Sequence, residues 1–494
     1  MRLLRALAHG AGWVVVGAGA LLVVGLLLRF AWARWLYEPI EPVRAAEKQA
    51  YLASLPRADP ATAPRFVVIL FDDLGWGDLS VQGNRLIRTP RLDALAAEGV
   101  RMTQFYSTSP ACTPSRAALL TGRYPVRSHT HQHVFFAEEL LAATARKMLG
   151  ATNELPRDEI LLPEALAAAG YATGLVGKWH LGGIPGHLPN DFGFDEYYGV
   201  LWSNDMQPLH IYRNRAIETR DETEFSLLGF HDEDGTRQPR GIDQRLLTRR
   251  FTEEAVAFLE RHRDQPFLLY LAPTAPHVPL YADPEHAGQS AGGRYGDVIE
   301  DLDRSVGAVL DTLERLGLTD RTLVVATSDN GGNYEGSTGG LRGRKQETYE
   351  GGMRVPMFVR WPGHVPAGVV SDAMGMQIDL FPTLLGLAGL PLPADRTIDG
   401  ADLLETWRSG ARSAHEHLFY FPTLGAAPVA VRDTRFKYRK ETGQEGRSKP
   451  HLSDLALDAE AHNLASLHPA KAAELAAALD AMTRSVEENP RGWR

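Results

Sequence analysis

The chain has 494 residues, one cysteine, a formal net charge of −9 and a hydrophobic content of 44%. A chain of this length can bury at least one large core and can form several domains. A single cysteine excludes an intrachain disulfide. Nucleic-acid backbones are bound by concentrated positive charge. Because the chain is net negative and has no long Lys/Arg block, we expect no nucleic-acid partner.

The first predicted element is an apolar membrane segment. Residues 11–28 carry no charge and lie between Arg5 and Arg29. The segment is at the short end of a membrane span but longer than the usual apolar region of a cleaved signal, which favours an uncleaved anchor over cleavage after Ala33. We therefore expect an exported protein, periplasmic or extracellular, attached to the membrane through residues 1–37.

A linker rich in Pro, Ala and charge is predicted over residues 38–64, and the fold begins after it. Four apolar runs then alternate with amphipathic helical stretches: RFVVILF at 65–71, YATGLVG at 171–177, PFLLYLA at 266–272 and TLVVATS at 322–328. Runs without polar alternation predict strands that are covered on both faces. The fold class is therefore α/β, with a large, mostly parallel sheet between helices.

The pattern changes near residue 401. Short strand-like segments follow, EHLFYF, PVAVRDTRFKYRK and PHLSDL, and then a helix over residues 469–486. We expect a main domain over residues 65–400 and a smaller antiparallel sheet with one helix over residues 401–494. The polar stretch 218–241 is predicted to be a surface insertion.

Polar side chains follow each of the four apolar runs: Asp72 and Asp73, then Lys178 and His180, then His277, then Asp329 and Asn330. Taken singly, each fits a loop role such as a helix cap or a turn. The carboxyl ends of parallel strands meet at one edge of a sheet, so together they predict a site. Its carboxylate and amide oxygens suit one hard divalent cation, Ca²⁺ or Mg²⁺, better than zinc.

Three histidines alternate in the segment HTHQH, at His129, His131 and His133. This spacing fits a soft-metal site, but it fits one face of a strand or a polar loop equally well. We favour a strand or a polar loop over a metal site.

The one cysteine, Cys112, lies where a helix is predicted to begin. Thr113 is a suitable N-cap and Pro114 a suitable first helical residue. The thiol would then lie near a helix N-terminus, where the helix dipole favours a thiolate. The alternative is a small, inert, buried side chain.

The segment CTPSRAALLTGR at 112–123 resembles the type I sulfatase signature, C-x-P-S-R-x-x-x-L-T-G-R, at every specified position. The segments FDDLGWGDLS, GKWHLG, TAPHVPL, TSDNGG and LRGRKQETYEGGMRVP also resemble sulfatase segments, in the family's order. The similarity is greatest to the arylsulfatase A and N-acetylgalactosamine-sulfatase branch. It spans residue 65 to the C-terminus and implies an alkaline-phosphatase-like fold with the catalytic domain over residues 65–400.

The resemblance also implies roles for individual residues. A formylglycine-generating enzyme converts Cys112 to formylglycine, whose hydrate is the nucleophile. The divalent cation, Ca²⁺ in preference to Mg²⁺, is held by Asp72, Asp73, residue 112, Asp329 and Asn330. The sulfate is bound by Lys178, Ser203, His277 and Lys345. The catalytic set is Cys112, Arg116, Lys178, His180, His277 and Lys345.

Within this set, Arg116 steadies the modified side chain and His180 takes a proton when sulfate is expelled. His277 and Lys345 act on the departing alcohol. The chain departs from the family pattern at Asn204, where histidine is expected after Ser203, and at Arg344, where glycine is common.

The implied activity is hydrolysis of a sulfated glycan or an aryl sulfate to the alcohol and inorganic sulfate. One alternative is a phosphate or phosphonate ester hydrolase of the same superfamily, which Asn330 disfavours because those relatives often have histidine there. The other is an inactive binder of sulfated glycans, which would apply if Cys112 stays a thiol.

Overall fold

The computed structural model describes residues 19–28, 42–137, 141–148, 152–223, 240–410, 413–442, 448–457 and 460–494. The strands are β1 (Arg65–Phe71), β2 (Val100–Tyr106), β3 (Ala172–Lys178), β4 (Glu196–Val200), β5 (Ile211–Arg213), β6 (Ala216–Thr219), β7 (Phe267–Ala272), β8 (Thr322–Ser328), β9 (Met357–Arg360), β10 (Val369–Met376), β11 (Leu418–Tyr420), β12 (Ala430–Arg432), β13 (Phe436–Thr442) and β14 (Ser448–Asp454).

The helices are α1 (residues 19–28), α2 (Pro42–Ser54), α3 (Pro90–Ala97), α4 (Cys112–Thr121), α5 (Leu141–Met148), α6 (Leu162–Ala168), α7 (Leu247–Arg261), α8 (Gly293–Arg315), α9 (Glu350–Met353), α10 (Leu380–Leu387), α11 (Leu404–Ser409) and α12 (Pro469–Glu488).

The large sheet has ten strands in the order β10-β2-β9-β8-β1-β7-β3-β4-β5-β6. Its centre, β8-β1-β7-β3-β4, is parallel throughout. Strand β9 pairs antiparallel with both of its neighbours, and the β4-β5-β6 edge is antiparallel. The predicted α/β class with a mixed, mostly parallel sheet is confirmed.

Strand β1 shows why its sequence is apolar without alternation. Phe66, Val68 and Leu70 belong to the core on one face of the sheet. Val67 and Ile69 belong to the core on the other face, which helices α3, α7 and α8 cover. Because both faces are buried, every position of this strand favours an apolar side chain.

The smaller sheet is antiparallel, in the order β11-β12-β13-β14, and α12 packs on it through Leu475 and Leu479. It joins the large domain through buried charge as well as apolar contact. Lys437 Nζ on β13 lies 3.1 Å from Oε1 of Glu350 and 3.0 Å from Oε1 of Glu460. Helix α11 still packs on β10 of the large sheet, so the large-domain packing continues beyond the expected boundary at residue 401.

The segment expected to be a linker, 38–64, contains helix α2, which packs on the large domain. Lys48 Nζ is buried and lies 2.6 Å from Oε1 of Glu164 on α6. The Arg44 guanidinium lies 5.0 Å from the centre of the Trp493 ring. These contacts fix the helix in place, and short-range sequence patterns do not reveal them.

The expected membrane segment, 11–28, is described only in part, as α1. None of the helices within the described ranges is long and apolar enough to cross a membrane. Residues 11–18 of that segment lie outside the described residues, as do residues 224–239 of the predicted insertion.

Candidate active site

The site lies where the central strands of the large sheet end. Asp72 and Asp73 follow β1, Lys178 ends β3, and Asp329 follows β8. Backbone hydrogen bonds tie these ends together: the Asp72 N–H donates to the Ala275 carbonyl over 3.2 Å, and the Asp329 N–H donates to the Phe71 carbonyl over 2.9 Å. The sheet therefore fixes the spacing of the side chains that follow its strands.

Two neighbouring carboxylates enter the same cluster because of the backbone at Asp73. Successive residues of a strand point to opposite faces. Asp73 has a φ of 68°, a left-handed conformation that aspartate tolerates better than most residues. The turn brings the side chains of Asp72 and Asp73 to the same thiol.

Helix α4 begins at Cys112, two residues before the expected first helical residue, Pro114. Ala111 holds the N-cap position, so the expected cap at Thr113 is wrong. The Cys112 thiol lies 3.5 Å from Oδ1 of Asp72 and 4.0 Å from Oδ1 of Asp73. Burial raises the pKa of this thiol well above its ordinary value, and the nearby carboxylates add to the effect. Of the two alternatives for Cys112, this environment favours the buried, protonated thiol over the thiolate.

The predicted metal ligands form one buried cluster. Single ligand atoms of Asp72, Asp73, Cys112 and Asp329 all lie within 4.8 Å of one another. Asn330 Nδ2 donates to Oδ1 of Asp73 over 2.7 Å, while its buried Oδ1 has no hydrogen-bond partner in the described part of the chain. Three carboxylates and an orphaned amide oxygen are a donor set that fits a hard divalent cation.

The carboxylates of the cluster differ in their electrostatic surroundings. Burial and the Asp72 carboxylate raise the pKa of Asp329 to about 6. Burial acts on Asp72 in the same sense, but the positive charges of Lys178, His277 and Arg116 hold the pKa of Asp72 well below its ordinary value. The neighbouring positive charges therefore stabilise the charged form of Asp72 more than that of Asp329.

Three cationic side chains face these carboxylates. Lys178 Nζ lies 2.7 Å from Oδ2 of Asp72, and Lys345 Nζ lies 2.7 Å from Oδ2 of Asp73. Arg116 Nε donates to Oδ2 of Asp329 over 2.9 Å, and its Nη1 donates to the Lys178 carbonyl over 3.0 Å. Arg116 therefore connects the helix of Cys112 to two strand ends.

His277 and Ser203 complete one side of the site. Ser203 Oγ accepts from Lys178 Nζ over 3.2 Å and lies 3.4 Å from the His277 ring nitrogens. His277 Nδ1 lies 2.5 Å from the Val278 carbonyl, which can only accept, so Nδ1 carries the hydrogen. His277 Nε2 lies 3.7 Å from Oδ2 of Asp73, which leaves it facing the carboxylate cluster.

His180 is held as a neutral ring. Its Nε2 lies 3.0 Å from the Phe135 carbonyl, so that nitrogen carries the hydrogen. The buried Nδ1 has no hydrogen-bond partner among the described residues. Burial, together with the charges of Lys178 and Arg116, holds the pKa of His180 well below its ordinary value. Nδ1 therefore keeps a free lone pair.

Two further residues support the site and were not predicted. Gln377 Nε2 donates to the carbonyls of Ser328, over 2.5 Å, and Asp329, over 3.0 Å. Asp78 accepts from the N–H groups of Gly75 and Ser337, each over 2.6 Å. Gln377 directly follows β10, so a strand-end search that included β10 would have found it.

The three alternating histidines lie in a loop between α4 and α5. The centres of the His129 and His131 rings lie 6.2 Å apart, and His133 Nδ1 lies 2.6 Å from the Val134 carbonyl oxygen. Within the described residues, no group of three potential metal ligands includes them.

Two family models match the chain. The sulfatase model matches residues 64–390. The chain belongs to the sulfatase family. A second model, described as N-sulphoglucosamine sulphohydrolase, C-terminal, matches residues 344–473. The resemblance of the Cys112 segment to the sulfatase signature is thereby confirmed, and the protein is a sulfuric ester hydrolase.

Individual relatives agree with this assignment. This sulfatase is 42% identical to the N-acetylgalactosamine-6-sulfatase of Mus musculus over 373 residues, covering 72% of this chain and 68% of that protein. It is 37% identical to the steryl-sulfatase of Rattus norvegicus over 453 residues, covering 76% of each.

Among solved structures, one described under the metabolism of multiple glycosaminoglycans by Bacteroides thetaiotaomicron is 29% identical, with a TM-score of 0.73, covering 86% of this chain and 100% of that one. A phosphonate monoester hydrolase from Silicibacter pomeroyi is 22% identical, with a TM-score of 0.63, covering 86% of this chain and 96% of that one. The second match shows a shared fold and no more.

Proposed function

We propose that this sulfatase removes sulfate from sulfated glycans, with aryl sulfates as small surrogate substrates, and that its nucleophile is a hydroxyl of the hydrate of formylglycine made from Cys112. The observation that carries the proposal is the position of Cys112 Sγ, 3.5 Å from Oδ1 of Asp72 and 4.0 Å from Oδ1 of Asp73. The other oxygens of these carboxylates each bind a lysine ammonium, of Lys178 and Lys345. A sulfate at residue 112 would thus meet two positive charges.

Asp72, Asp73, Asp329, Asn330 and residue 112 would hold one divalent cation, Ca²⁺ in preference to Mg²⁺. Such a cation supplies positive charge, which polarises an oxygen nucleophile and offsets the charge of the sulfate. Arg116 keeps these ligands in register, because it bonds to Asp329 and to the backbone of Lys178.

The chain's own residues provide the remaining charge and proton transfers. Lys178 and Lys345 bind sulfate oxygens and reduce repulsion between the anionic ester and the nucleophile. His277 Nε2 lies on the carboxylate side and, when both ring nitrogens carry hydrogens, delivers a proton to the departing alcohol. His180 Nδ1, with its free lone pair, takes the proton of the remaining hydroxyl of the hydrate, so that the aldehyde C=O bond forms again as the C–O bond to sulfate breaks.

Three further parts of the proposal come from the sequence and the named relatives. A formylglycine-generating enzyme acts on residues 112–123 during maturation. The N-terminal apolar segment directs export and holds the protein at the outer side of the membrane. The glycan preference rests on the N-acetylgalactosamine-6-sulfatase relatives and on the structural relative described under glycosaminoglycan metabolism.

The experiment that tests this proposal is a mass spectrum of the peptide containing residue 112, from protein made in its native host without alkylation. We expect the mass of the aldehyde or its hydrate. Hydrolysis of 4-nitrophenyl sulfate should appear in the same preparation and disappear in Cys112→Ala. An intact thiol throughout, together with binding but no turnover, would favour the inactive binder, whereas preferred hydrolysis of a phosphonate monoester would favour the hydrolase alternative.

A further inference from the structure

A cavity of about 480 Å³ lies between the segment 342–349 and strand β13 of the smaller sheet. Its wall includes Gln346, which directly follows Lys345 in the active site. The Gln346 N–H donates to the Pro110 carbonyl over 2.7 Å, two residues before Cys112. The cavity therefore begins where the active site ends.

The backbone at Gln346 separates the two spaces. Gln346 has a φ of 72°, a left-handed conformation that is uncommon for residues other than glycine. Such outliers are retained where the surrounding structure requires them. Here the turn lets Lys345 reach Asp73 while the following side chain lines the cavity.

Two arginines of the cavity surround one aromatic ring. The guanidinium groups of Arg342 and Arg439 each lie 4.0 Å from the centre of the Tyr349 ring. Arg342 also donates to the Tyr349 hydroxyl over 3.0 Å and to the Glu460 carbonyl over 2.8 Å, and Arg439 donates to the Thr348 hydroxyl. The ring and these bonds hold both guanidinium groups at the cavity wall.

Neither guanidinium has a carboxylate within ion-pair distance among the residues that the structure describes, which distinguishes them from Lys440 beside them, whose Nζ pairs with Asp480. Glu347 is the one acidic residue among the described residues that line the cavity, and its Oε2 accepts from the Arg344 N–H over 3.1 Å. Within the described part of the chain, the cavity therefore presents two arginine charges that no neighbouring acid neutralises.

We propose that this cavity binds a second anionic group, a sulfate or a carboxylate, of the same glycan chain whose sulfate ester is cleaved at residue 112, and that Arg342 and Arg439 contact it. The inference rests on the proposed action on glycans. Guanidinium groups bind sulfate and carboxylate through paired N–H donors, and the volume suits a sugar-sized ligand. A polyanionic glycan fits both sites at once, and a small aryl sulfate fits only the first.

The test measures binding rather than turnover, so that it does not depend on formylglycine. Full-length Cys112→Ser protein is titrated calorimetrically with a chondroitin sulfate tetrasaccharide and with galactose 6-sulfate, which carries one anionic group. The double variant R342Q/R439Q should weaken tetrasaccharide binding about tenfold or more, because two charge-assisted contacts are lost. The Kd of the double variant for galactose 6-sulfate should change less than about twofold, because the single anionic group of this ligand binds at residue 112 and does not contact the two arginines.

Two further variants sharpen the result. R484Q removes an exposed arginine of α12 that does not line the cavity, and it should leave both Kd values unchanged. E347Q removes the acidic group of the cavity and should strengthen tetrasaccharide binding about twofold, as expected for one exposed charge. A tetrasaccharide that keeps its sulfates but has its carboxylates reduced to alcohols separates the two anions: a retained arginine dependence would identify the second group as a sulfate, and loss of the dependence would identify it as a carboxylate.

Equal weakening of both ligands by R342Q/R439Q, or tetrasaccharide binding that matches R484Q, would overturn the inference. Failure of the proposed function is a separate observation, because it would appear as absent hydrolysis of 4-nitrophenyl sulfate by the unsubstituted protein. The single variant R342Q, at an exposed position, repeats the measurement if the double variant does not fold.

Discussion

Lys178 Nζ lies 2.7 Å from Oδ2 of Asp72, and both side chains are completely buried. Removing one member of such a pair leaves an uncompensated charge in the protein interior. We expect Lys178→Met to lower the free energy of unfolding by about 3–5 kcal/mol, measured by urea denaturation. It should also lower kcat/KM for 4-nitrophenyl sulfate by at least about a hundredfold, because charge at the sulfate is lost.

The control is Arg408→Met, which breaks the exposed pair between Arg408 and Glu405, 3.0 Å apart. Exposed pairs contribute about 1 kcal/mol or less. Similar destabilisation by both variants would contradict a special role for the buried pair.

Cation binding should be visible in thermal unfolding. After treatment with EGTA, added Ca²⁺ should raise the Tm, because a ligand present at about a hundred times its Kd stabilises the native state by about 2.7 kcal/mol. Asp73→Asn should lose most of this increase, since it removes a carboxylate from the ligand cluster. Asp311→Asn, at an exposed carboxylate of α8, should keep it. A Tm that responds to neither Ca²⁺ nor Mg²⁺ would argue against the cation site.

His180 predicts a pH dependence with a definite sign. Burial holds the pKa of His180 below its ordinary value of 6.5. Just below pH 6.5, the histidine therefore binds a proton in the unfolded chain but not in the native state. The contribution of His180 to stability is therefore complete above pH 6.5 and is lost as the pH falls below it. The stability advantage over His180→Gln should shrink between pH 7.5 and pH 5, and an advantage that grows in acid would contradict the assignment.

Asp78 is predicted to act as a positioning residue. Its carboxylate holds the N–H groups of Gly75 and Ser337, and it also accepts from the Tyr295 hydroxyl over 2.6 Å. Asp78→Ala leaves these buried donors without an acceptor and should therefore lower the free energy of unfolding by about 1–3 kcal/mol. Because the loop of Ser337 leads to Lys345, KM for 4-nitrophenyl sulfate should rise. Tyr295→Phe, which removes one of the three bonds, should have a smaller effect on both measurements, and a larger effect would contradict this role.

The sequence predicts those parts of the fold and site that local patterns encode. The run 65–71 became strand β1 with the same bounds, and Asp72 and Asp329 lie at strand ends as expected. Strand β2 was not predicted, because polar residues at its partly buried positions interrupt the apolar run. Near an edge of the sheet, strands no longer need two apolar faces.

Features that depend on distant contacts could not be predicted in the same way. The tautomer of His180 depends on the Phe135 carbonyl, and the pKa of Cys112 depends on how deeply α4 is buried. Helix α2 stays in place through contacts with residues more than a hundred positions away, such as Glu164. Each of these properties is created by tertiary packing.

The strand order of the large sheet determines when, during synthesis, Cys112 can become buried. Cys112 is 1% exposed in the folded protein, yet the neighbours of β1 begin only at Phe267 and Thr322. About 155 residues separate Cys112 from Phe267, and ribosomes add roughly 5–20 residues per second. The peptide around Cys112 would therefore stay accessible to the proposed formylglycine-generating enzyme for roughly 8–30 seconds of synthesis before the sheet can close over it.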